Sequence, residues 1–269
     1  HAADLAFGNV RTNATTTLAL TNTLRTGAVA AYQDDLAVVT TTANGLLAAT
    51  EPTNLLAGES KNITLRATGP GSLAGRINLA FSSAAQVAGV DVEGLTSVST
   101  SGSVDVTGAA YDFAVASHGT SVAFGNVRPN ATRNLSVTNV LLGADATYQD
   151  ALAVSVLAAG NAKLGAVATA SIAAGQTGAV TYSVNASGDL AGTTSLGFTS
   201  TALAGTGLTD LALDGASVTL TGTAYDFASA AFTNNTTVAF GNVRVGSAPA
   251  ARTLAFTNTL VAASADYQD

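Results

Sequence analysis

The stretch AFGNVR occurs three times in the chain, at Ala6–Arg11, Ala123–Arg128 and Ala239–Arg244. Its copies begin 117 and then 116 residues apart. A period of this length matches a whole domain and is far longer than a solenoid unit, so each copy is expected to have its own hydrophobic core. The motif therefore predicts a tandem array of similar domains.

Two further motifs keep the same register. Tyr-Gln-Asp stands at 32–34, 148–150 and 267–269, and Tyr-Asp-Phe stands at 111–113 and 225–227. We divide the chain accordingly into repeat 1 (1–110), repeat 2 (111–224) and repeat 3 (225–269). Repeat 3 is expected to be an incomplete unit that holds only the first strands, because so short a segment without cysteine seldom builds a stable core. We expect the chain to be a window of a longer polypeptide, or another chain to complete this fragment.

Composition narrows the functional classes. The 269 residues include 17 acidic and 10 basic ones, and the basic residues do not cluster. The chain thus lacks the positive surface that nucleic-acid binding needs. No apolar run approaches the ~18–20 residues of a membrane span, and no leader is evident at the start. The chain contains no cysteine, so it forms neither disulfides nor thiolate metal sites. Such a composition suits an extracellular bacterial protein, and compositional bias alone is the alternative explanation.

Apolar residues alternate with polar ones in short runs, the period of strands with one buried face. Repeat 1 shows this in Thr16–Asn22, Asn62–Ala67, Arg76–Phe81 and Ser103–Thr107. The predicted inward positions in repeat 1 are Leu18, Leu20, Ile63, Leu65, Ile77, Leu79, Phe81, Val104 and Val106. Those in repeat 2 are Leu135, Val137, Val180, Tyr182, Val184, Leu196, Phe198, Val218 and Leu220.

Turn residues separate these runs, and helical periodicity is weak even in the alanine-rich segment Ala158–Ala170. We expect an all-β chain of tandem immunoglobulin-like antiparallel β-sandwiches with seven or eight strands in each repeat. An up-and-down barrel is the main alternative.

Several recurring residues have a structural interpretation. The Gly-Asn of AFGNVR fits a bulge with positive φ. Asparagines that end the second predicted strand are expected to satisfy free backbone groups; these are Asn22, Asn139 and Asn258. The phenylalanines of AFGNVR are expected to anchor each first strand in a core; these are Phe7, Phe124 and Phe240.

The phrases LAFGNVRTNATTTLALTNT (5–23), LLAGESKNITLRAT (55–68) and VDVTGAAYDFA (104–114) resemble the choice-of-anchor D repeats of bacterial surface proteins, which belong with ASH-type and related immunoglobulin-like domains. The repeats depart from that pattern in their longer middle segments, around 84–99 and 201–214. The resemblance implies a fold and a secreted or cell-surface setting. It carries over no catalytic residues.

Catalytic and metal-binding constellations are sparse. Ser117, His118 and Asp112 are close in sequence, but adjacency alone does not make a triad. Zinc has no plausible ligand set, and we expect no cofactor. Calcium candidates are Asp34, Asp35, Asp91, Glu93, Asp210 and Asp214, with Asp112 and Asp226 the best placed because they lie at the junctions; a turn-capping role for those two is the alternative.

The main hypothesis is a structural array that forms a stalk or filament outside a bacterial cell. The array is expected to be stiffened by burial of four aromatic side chains at the junctions, Tyr111, Phe113, Tyr225 and Phe227. Its partners are expected to be neighbouring copies of itself, extending to a homopolymer or fibre in which a strand of one subunit completes another's sandwich. The alternative is an adhesin-type module that recognises a glycan or protein through loops at one end of a sandwich. An enzyme is not expected.

Overall fold

The computed structural model describes residues 4–52, 54–83, 85–92, 94, 96–233, 237–248, 250–262 and 264–269. Strands dominate this part of the chain, which contains no α-helix and three 3₁₀ turns, at Ala30–Tyr32, Ala146–Tyr148 and Ala265–Tyr267. Each turn leads directly into a Tyr-Gln-Asp motif. None of the described residues forms a helix long and apolar enough to cross a membrane. Glu93, one of the calcium candidates, lies outside the described residues.

Repeat 1 contains two packed sheets. Its strands are β1 (Asp4–Arg11), β2 (Thr15–Thr21), β3 (Leu36–Thr42), β4 (Leu47–Thr50), β5 (Ser60–Ala67), β6 (Gly71–Ser72), β7 (Gly75–Ser83), β8 (Gln86–Val87), β9 (Val90–Asp91) and β10 (Ser99–Tyr111). One sheet has the order β1-β10-β7-β3, with β6 pairing β10, and the other has the order β2-β5-β4. The two-residue strands β8 and β9 form a separate hairpin.

Repeat 2 repeats this arrangement. Its strands are β11 (Ala116–His118), β12 (Ser121–Val127), β13 (Thr132–Asn139), β14 (Ala151–Ala158), β15 (Leu164–Ala168), β16 (Thr177–Val184), β17 (Gly188–Asp189), β18 (Gly192–Thr201) and β19 (Leu211–Ala224). The sheet orders are β12-β19-β18-β14, with β17 pairing β19, and β11-β13-β16-β15. Each order matches repeat 1 strand for strand, except that β11 has no counterpart among the described residues of repeat 1.

This topology confirms the immunoglobulin-like β-sandwich. All pairs are antiparallel except β1 with β10 and β12 with β19, which are parallel. No described sheet mixes strands of repeats 1 and 2, and each repeat has two open sheets, so the barrel alternative is wrong. When two-residue ladders are left out, the described strands number seven in repeat 1 and eight in repeat 2, as predicted.

The cores consist of the residues that alternation marked as inward. In repeat 2 all nine predicted positions are buried, and Tyr182 is fully enclosed. In repeat 1 eight of nine are buried, while Phe81 packs against the cluster from its edge. In repeat 2, the segment Leu164–Ala168 is a strand despite its alanines, because Leu164 is buried in the repeat 2 core.

The glycine of AFGNVR forms the predicted bulge. Gly8 and Gly125 have φ of 67° and 68°, in the left-handed region that glycine adopts at little cost. The register of the parallel ladder shifts at the same point in both repeats, between Ala6 and Gly8 and between Ala123 and Gly125. The bulge re-aims the end of the strand, where the arginine of the motif lies.

The phenylalanine of AFGNVR differs between repeats. Phe124 is 3% exposed in the repeat 2 core, and Phe7 packs against the repeat 1 core while only partly buried. Phe240 is 53% exposed, so it anchors no core in this chain, contrary to expectation. The described part of repeat 3 forms only one ladder, β20 (Ala230–Phe232) with β21 (Phe256–Asn258), and no second sheet that could cover the ring.

We predict that the two cores unfold separately. Leu65→Ala removes a fully buried side chain of repeat 1, which should cost about 2–5 kcal/mol of unfolding free energy. Hydrogen exchange should then accelerate in the strands of repeat 1 and stay unchanged in the central strands of repeat 2. Leu196→Ala should produce the converse pattern.

Val167→Ala is the matched control, since Val167 is 73% exposed and its truncation should change the unfolding free energy by no more than about 0.5 kcal/mol. Equal acceleration in both repeats after Leu65→Ala would show one merged core instead.

Candidate functional site at the junction between repeats

The linker between repeats 1 and 2 is short and hydrogen-bonded along its length. Residues 112–115 separate β10 from β11. The Asp112 amide donates to the Tyr148 carbonyl at 2.9 Å, and the Asp150 amide donates to the Asp112 carbonyl at 3.0 Å. The Tyr-Asp-Phe motif of the linker thus forms a parallel bridge with the Tyr-Gln-Asp motif of the following repeat. Backbone pairing of this kind leaves the linker little freedom.

Asn139 connects the linker to repeat 2. This fully buried side chain donates from Nδ2 to the carbonyls of Asp150 at 2.9 Å and Ile172 at 3.1 Å. Its Oδ1 accepts from the Val115 amide at 3.1 Å and from Gln149 Nε2 at 3.3 Å. The expectation that this asparagine satisfies backbone groups at the strand end is confirmed.

A serine and an aspartate extend the same network. The Ala114 amide donates to Ser200 Oγ at 2.8 Å, and that hydroxyl donates to Asp150 Oδ2 at 2.7 Å. Ser200 and Asp150 are both fully buried. A buried carboxylate needs a positive partner, because desolvation of an unpaired charge is costly.

Arg11, the last residue of AFGNVR, is that partner. Its Nη1 lies 2.9 Å from Asp150 Oδ2, with side-chain exposures of 19% and 0% for the two residues. Nη1 meets the distance but not the alignment of a hydrogen bond, so charge attraction holds this pair. The guanidinium carbon also lies 4.2 Å from the centre of the Phe113 ring, a cation–π contact.

The long middle segment of repeat 2 closes the junction from another side. Arg11 Nη2 donates to the Thr209 carbonyl at 2.9 Å, and Asn9 Nδ2 donates to the Thr206 carbonyl at 3.1 Å. Both carbonyls belong to the segment by which the repeats exceed the family pattern they resemble. The extra length therefore contributes contacts between repeats.

The junction between repeats 2 and 3 reuses the same residue types. Arg128 pairs with Asp269 and lies 4.4 Å from the Phe227 ring centre. The Asp226 amide donates to the Tyr267 carbonyl at 2.8 Å. This copy is more open, since the side chains of Arg128 and Asp269 are 37% and 54% exposed.

The four junction aromatics are only partly enclosed. Tyr111 contacts Tyr148 with ring centres 5.6 Å apart, and Tyr225 contacts Tyr267 at 6.3 Å. Phe113 is half-buried, but Phe227 is 67% exposed, contrary to the burial expected for it. The described part of repeat 3 forms no second sheet beside it, and Arg128 covers one face of its ring.

The calcium candidates do not converge. Among the described residues, no group of three or more His, Asp or Glu side chains could hold a metal ion. Asp226 Oδ2 accepts from Ser187 Oγ at 2.7 Å, and Asp210 Oδ1 accepts from the Ala202 amide at 2.8 Å. Asp112 uses its backbone in the linker bridge. Asp226 and Asp210 thus hold hydrogen bonds within the protein, and the choice between calcium binding and turn capping for Asp112 and Asp226 stays a prediction.

Ser117 and His118 also make contacts that belong to the sandwich itself. Both residues lie on β11, where neighbouring side chains point to opposite faces. The His118 ring stacks on Phe198 with ring centres 5.4 Å apart. No triad with Asp112 is formed.

Hydrophobic alternation does not reveal the roles of the arginine in AFGNVR and of the Gln-Asp in Tyr-Gln-Asp. Arg11 and Asp150 are far apart in sequence, and alternation says nothing about such pairs. The available signal was their recurrence in register, as Arg128 with Asp269 shows.

Comparison with known proteins adds little to this geometry. No family model and no curated protein matches the chain. Among solved structures, domains 4–9 of the surface layer protein SbsC are 15% identical over 87% of this chain and 32% of that chain, with a TM-score of 0.24. SbsC domains 4 and 5 are 13% identical over 74% of both chains, with a TM-score of 0.28.

Zebrafish RET cadherin-like domains 1 to 4 are 10% identical over 70% of this chain and 40% of that one, with a TM-score of 0.25. The chain spans about a third or less of the longer SbsC structures.

We predict that Asn139→Ala opens the junction as well as destabilising repeat 2. It leaves buried carbonyls and the Val115 amide without partners, each worth about 1–3 kcal/mol when unsatisfied. The unfolding free energy of repeat 2 should fall by at least about 2 kcal/mol. Hydrogen exchange at the amides of residues 112–115 should accelerate more than exchange in the core strands does. Asn78→Ala, an exposed change of the same kind on β7, should leave both unchanged; equal effects of the two variants would contradict the assignment.

Proposed function

We propose that the chain is a structural repeat region whose junctions hold successive sandwiches in fixed relation, so that an array reaches outward as a stalk or filament. The observation that carries this proposal is the repeated junction: Arg11 with Asp150 and Phe113, and Arg128 with Asp269 and Phe227. Three motifs that recur along the chain meet in space at each boundary. A role in connecting repeats accounts for all three at once.

The contacts at the first junction are those expected of a stiff connection. A hydrogen bond to a charged group contributes about 1.5–3 kcal/mol and a neutral one about 0.5–1.5 kcal/mol. The junction combines several neutral bonds with the buried Asp150 and a stacked guanidinium. Bending that moves Arg11 away would leave the buried Asp150 carboxylate without its positive partner, so a single relative orientation is favoured over a freely jointed one.

The proposed setting is the outside of a bacterial cell. The absence of cysteine and the low content of charged residues, 10%, support it, as does the resemblance of residues 5–23 and 55–68 to choice-of-anchor D repeats. In this proposal the chain is not an enzyme, needs no cofactor, and has further repeats of its own kind as partners, including in a fibre.

We predict that spin labels on repeats 1 and 2 report one narrow distance distribution. The chain has no native cysteine, so Thr17→Cys and Ser136→Cys, both on exposed strand positions, give unique labels for pulsed electron paramagnetic resonance. Arg11→Gln should broaden the distribution severalfold, because it removes the charge that Asp150 needs. Arg11→Lys should give an intermediate width, since lysine keeps the charge but not the planar stacking on Phe113.

Arg76→Gln is the matched control. Arg76 also pairs with an aspartate, Asp105, but both side chains are more than half exposed and lie within repeat 1, so the distance distribution should not change. A broad distribution in the unmodified chain would contradict the stiff array.

A further inference from the structure

The connection between β3 and β4 contains the only Asn-Gly sequence of the chain, Asn44-Gly45. It crosses from one sheet of repeat 1 to the other, because β3 and β4 belong to different sheets. An asparagine loses its amide most readily when glycine follows it, since no side chain hinders the attack of the glycine nitrogen on the asparagine Cγ. This turn therefore carries a group that can change covalently without an enzyme.

Three hydrogen bonds hold the Asn44 side chain in one position. Its Nδ2 donates to the carbonyls of Ser72 at 2.9 Å and Ala74 at 3.1 Å, and its Oδ1 accepts from the Leu46 amide at 2.8 Å. Two acceptors on one side and a donor on the other also fix which end of the amide is the nitrogen. The side chain thus ties the β3–β4 turn to the connection between β6 and β7.

This tie opposes the loss of the amide while the turn is closed. Attack of the Gly45 nitrogen turns the planar Cγ of Asn44 into a tetrahedral carbon, which moves Nδ2 and Oδ1 away from the positions where their hydrogen bonds form. The reaction must therefore break the bonds to Ser72, Ala74 and Leu46. Opening of the turn removes that cost, because the same bonds are then already broken.

The equivalent turn of repeat 2 has the same bonds without the reactive sequence. Asn161 Nδ2 donates to the carbonyls of Asp189 at 3.1 Å and Ala191 at 3.0 Å, and its Oδ1 accepts from the Lys163 amide at 2.9 Å. Ala162 follows this asparagine in place of the glycine. The two turns therefore share their geometry and differ in how readily their asparagine reacts.

The backbone of the turn does not require Gly45. This residue is absent from the glycines with positive φ, and a Cβ built on it would meet no heavy atom of the described residues within 4 Å. An alanine would fit there, as Ala162 does in repeat 2. The glycine thus changes the chemistry of Asn44 without serving the fold.

We propose that Asn44 is a deamidation site that the fold of repeat 1 keeps closed and that reacts when the β3–β4 turn opens. The Gly45 nitrogen forms a bond to Asn44 Cγ, the Cγ–Nδ2 bond breaks, and ammonia leaves with the proton of the glycine amide. Water then opens the resulting succinimide at either carbonyl and gives aspartate or isoaspartate. The sum is one water consumed and one ammonia released.

Neither product can re-form the tie. An ionised carboxylate has no donor, so the carbonyls of Ser72 and Ala74 lose their partner and face a negative charge instead. Isoaspartate also lengthens the backbone by one methylene, three residues before the buried Leu47 that begins β4. One opening of the turn thereby becomes a permanent loosening of this edge of repeat 1. The inference concerns repeat 1 alone and does not depend on the stalk proposed above.

The test is peptide mapping of the whole chain by mass spectrometry after incubation at mildly alkaline pH, with the aspartate and isoaspartate products separated by chromatography. Asn44 should deamidate at least about tenfold more slowly in the native chain than in urea, the equivalent of about 1.4 kcal/mol. Asn161 should give little product in either solution over the same time. Leu65→Ala, which weakens the repeat 1 core, should accelerate the reaction of Asn44 in the native chain, and Leu196→Ala in repeat 2 should not.

Gly45→Ala is the matched control, because it copies the turn of repeat 2 and should suppress deamidation of Asn44 in urea and in the native chain alike. Asn44→Asp copies one product and should accelerate hydrogen exchange at the Leu46 and Leu47 amides. Asn78→Asp, which places the same charge on an exposed position of β7, should not. Absence of product at Asn44 in urea would overturn the site, and equal rates in urea and in the native chain would overturn its closure by the fold.

Discussion

The pairing of Arg11 with the buried carboxylate of Asp150 is the constraint around which the boundary between repeats is organised. A carboxylate with no solvent exposure is costly unless a positive group lies beside it. The bulge at Gly8 sets the direction of the strand end that carries the arginine, and Phe113 covers one face of the guanidinium. Asn139 and Ser200 hold the linker and the carboxylate in place. Loss of any one group leaves others buried without partners.

This arrangement explains why three short motifs recur at a nearly constant spacing. AFGNVR lies at one edge of a sandwich, Tyr-Asp-Phe continues its last strand, and Tyr-Gln-Asp lies in the next repeat. Repeats 1 and 2 have nearly the same length and the same sheet order, so the motifs reach the boundary in the same relation in each of them. The interaction between repeats thus places a limit on variation within them.

Much of the fold could be predicted from the sequence. Residues such as Ile63, Leu65, Val180 and Tyr182 alternate with polar neighbours, and burial of one strand face is a local consequence of that pattern. The prediction for Phe240 is wrong because burial needs a facing sheet, and the described residues of repeat 3 form none. The aromatics of the junction recur visibly in the sequence, but their enclosure is partial, and alternation cannot reveal the buried ion pair because it joins residues of different repeats.

The most direct test of the account is a double-mutant cycle between Arg11 and Asp150, with Arg11→Gln, Asp150→Asn and the two combined. The readout is hydrogen exchange at the Asp112 and Asp150 amides, which bond across the boundary, and so reports the free energy of opening the junction. The account predicts that the two changes are strongly non-additive, with a coupling energy of about 1–3 kcal/mol. Additive effects, with a coupling energy near zero, would contradict the claim that this pair holds the repeats together.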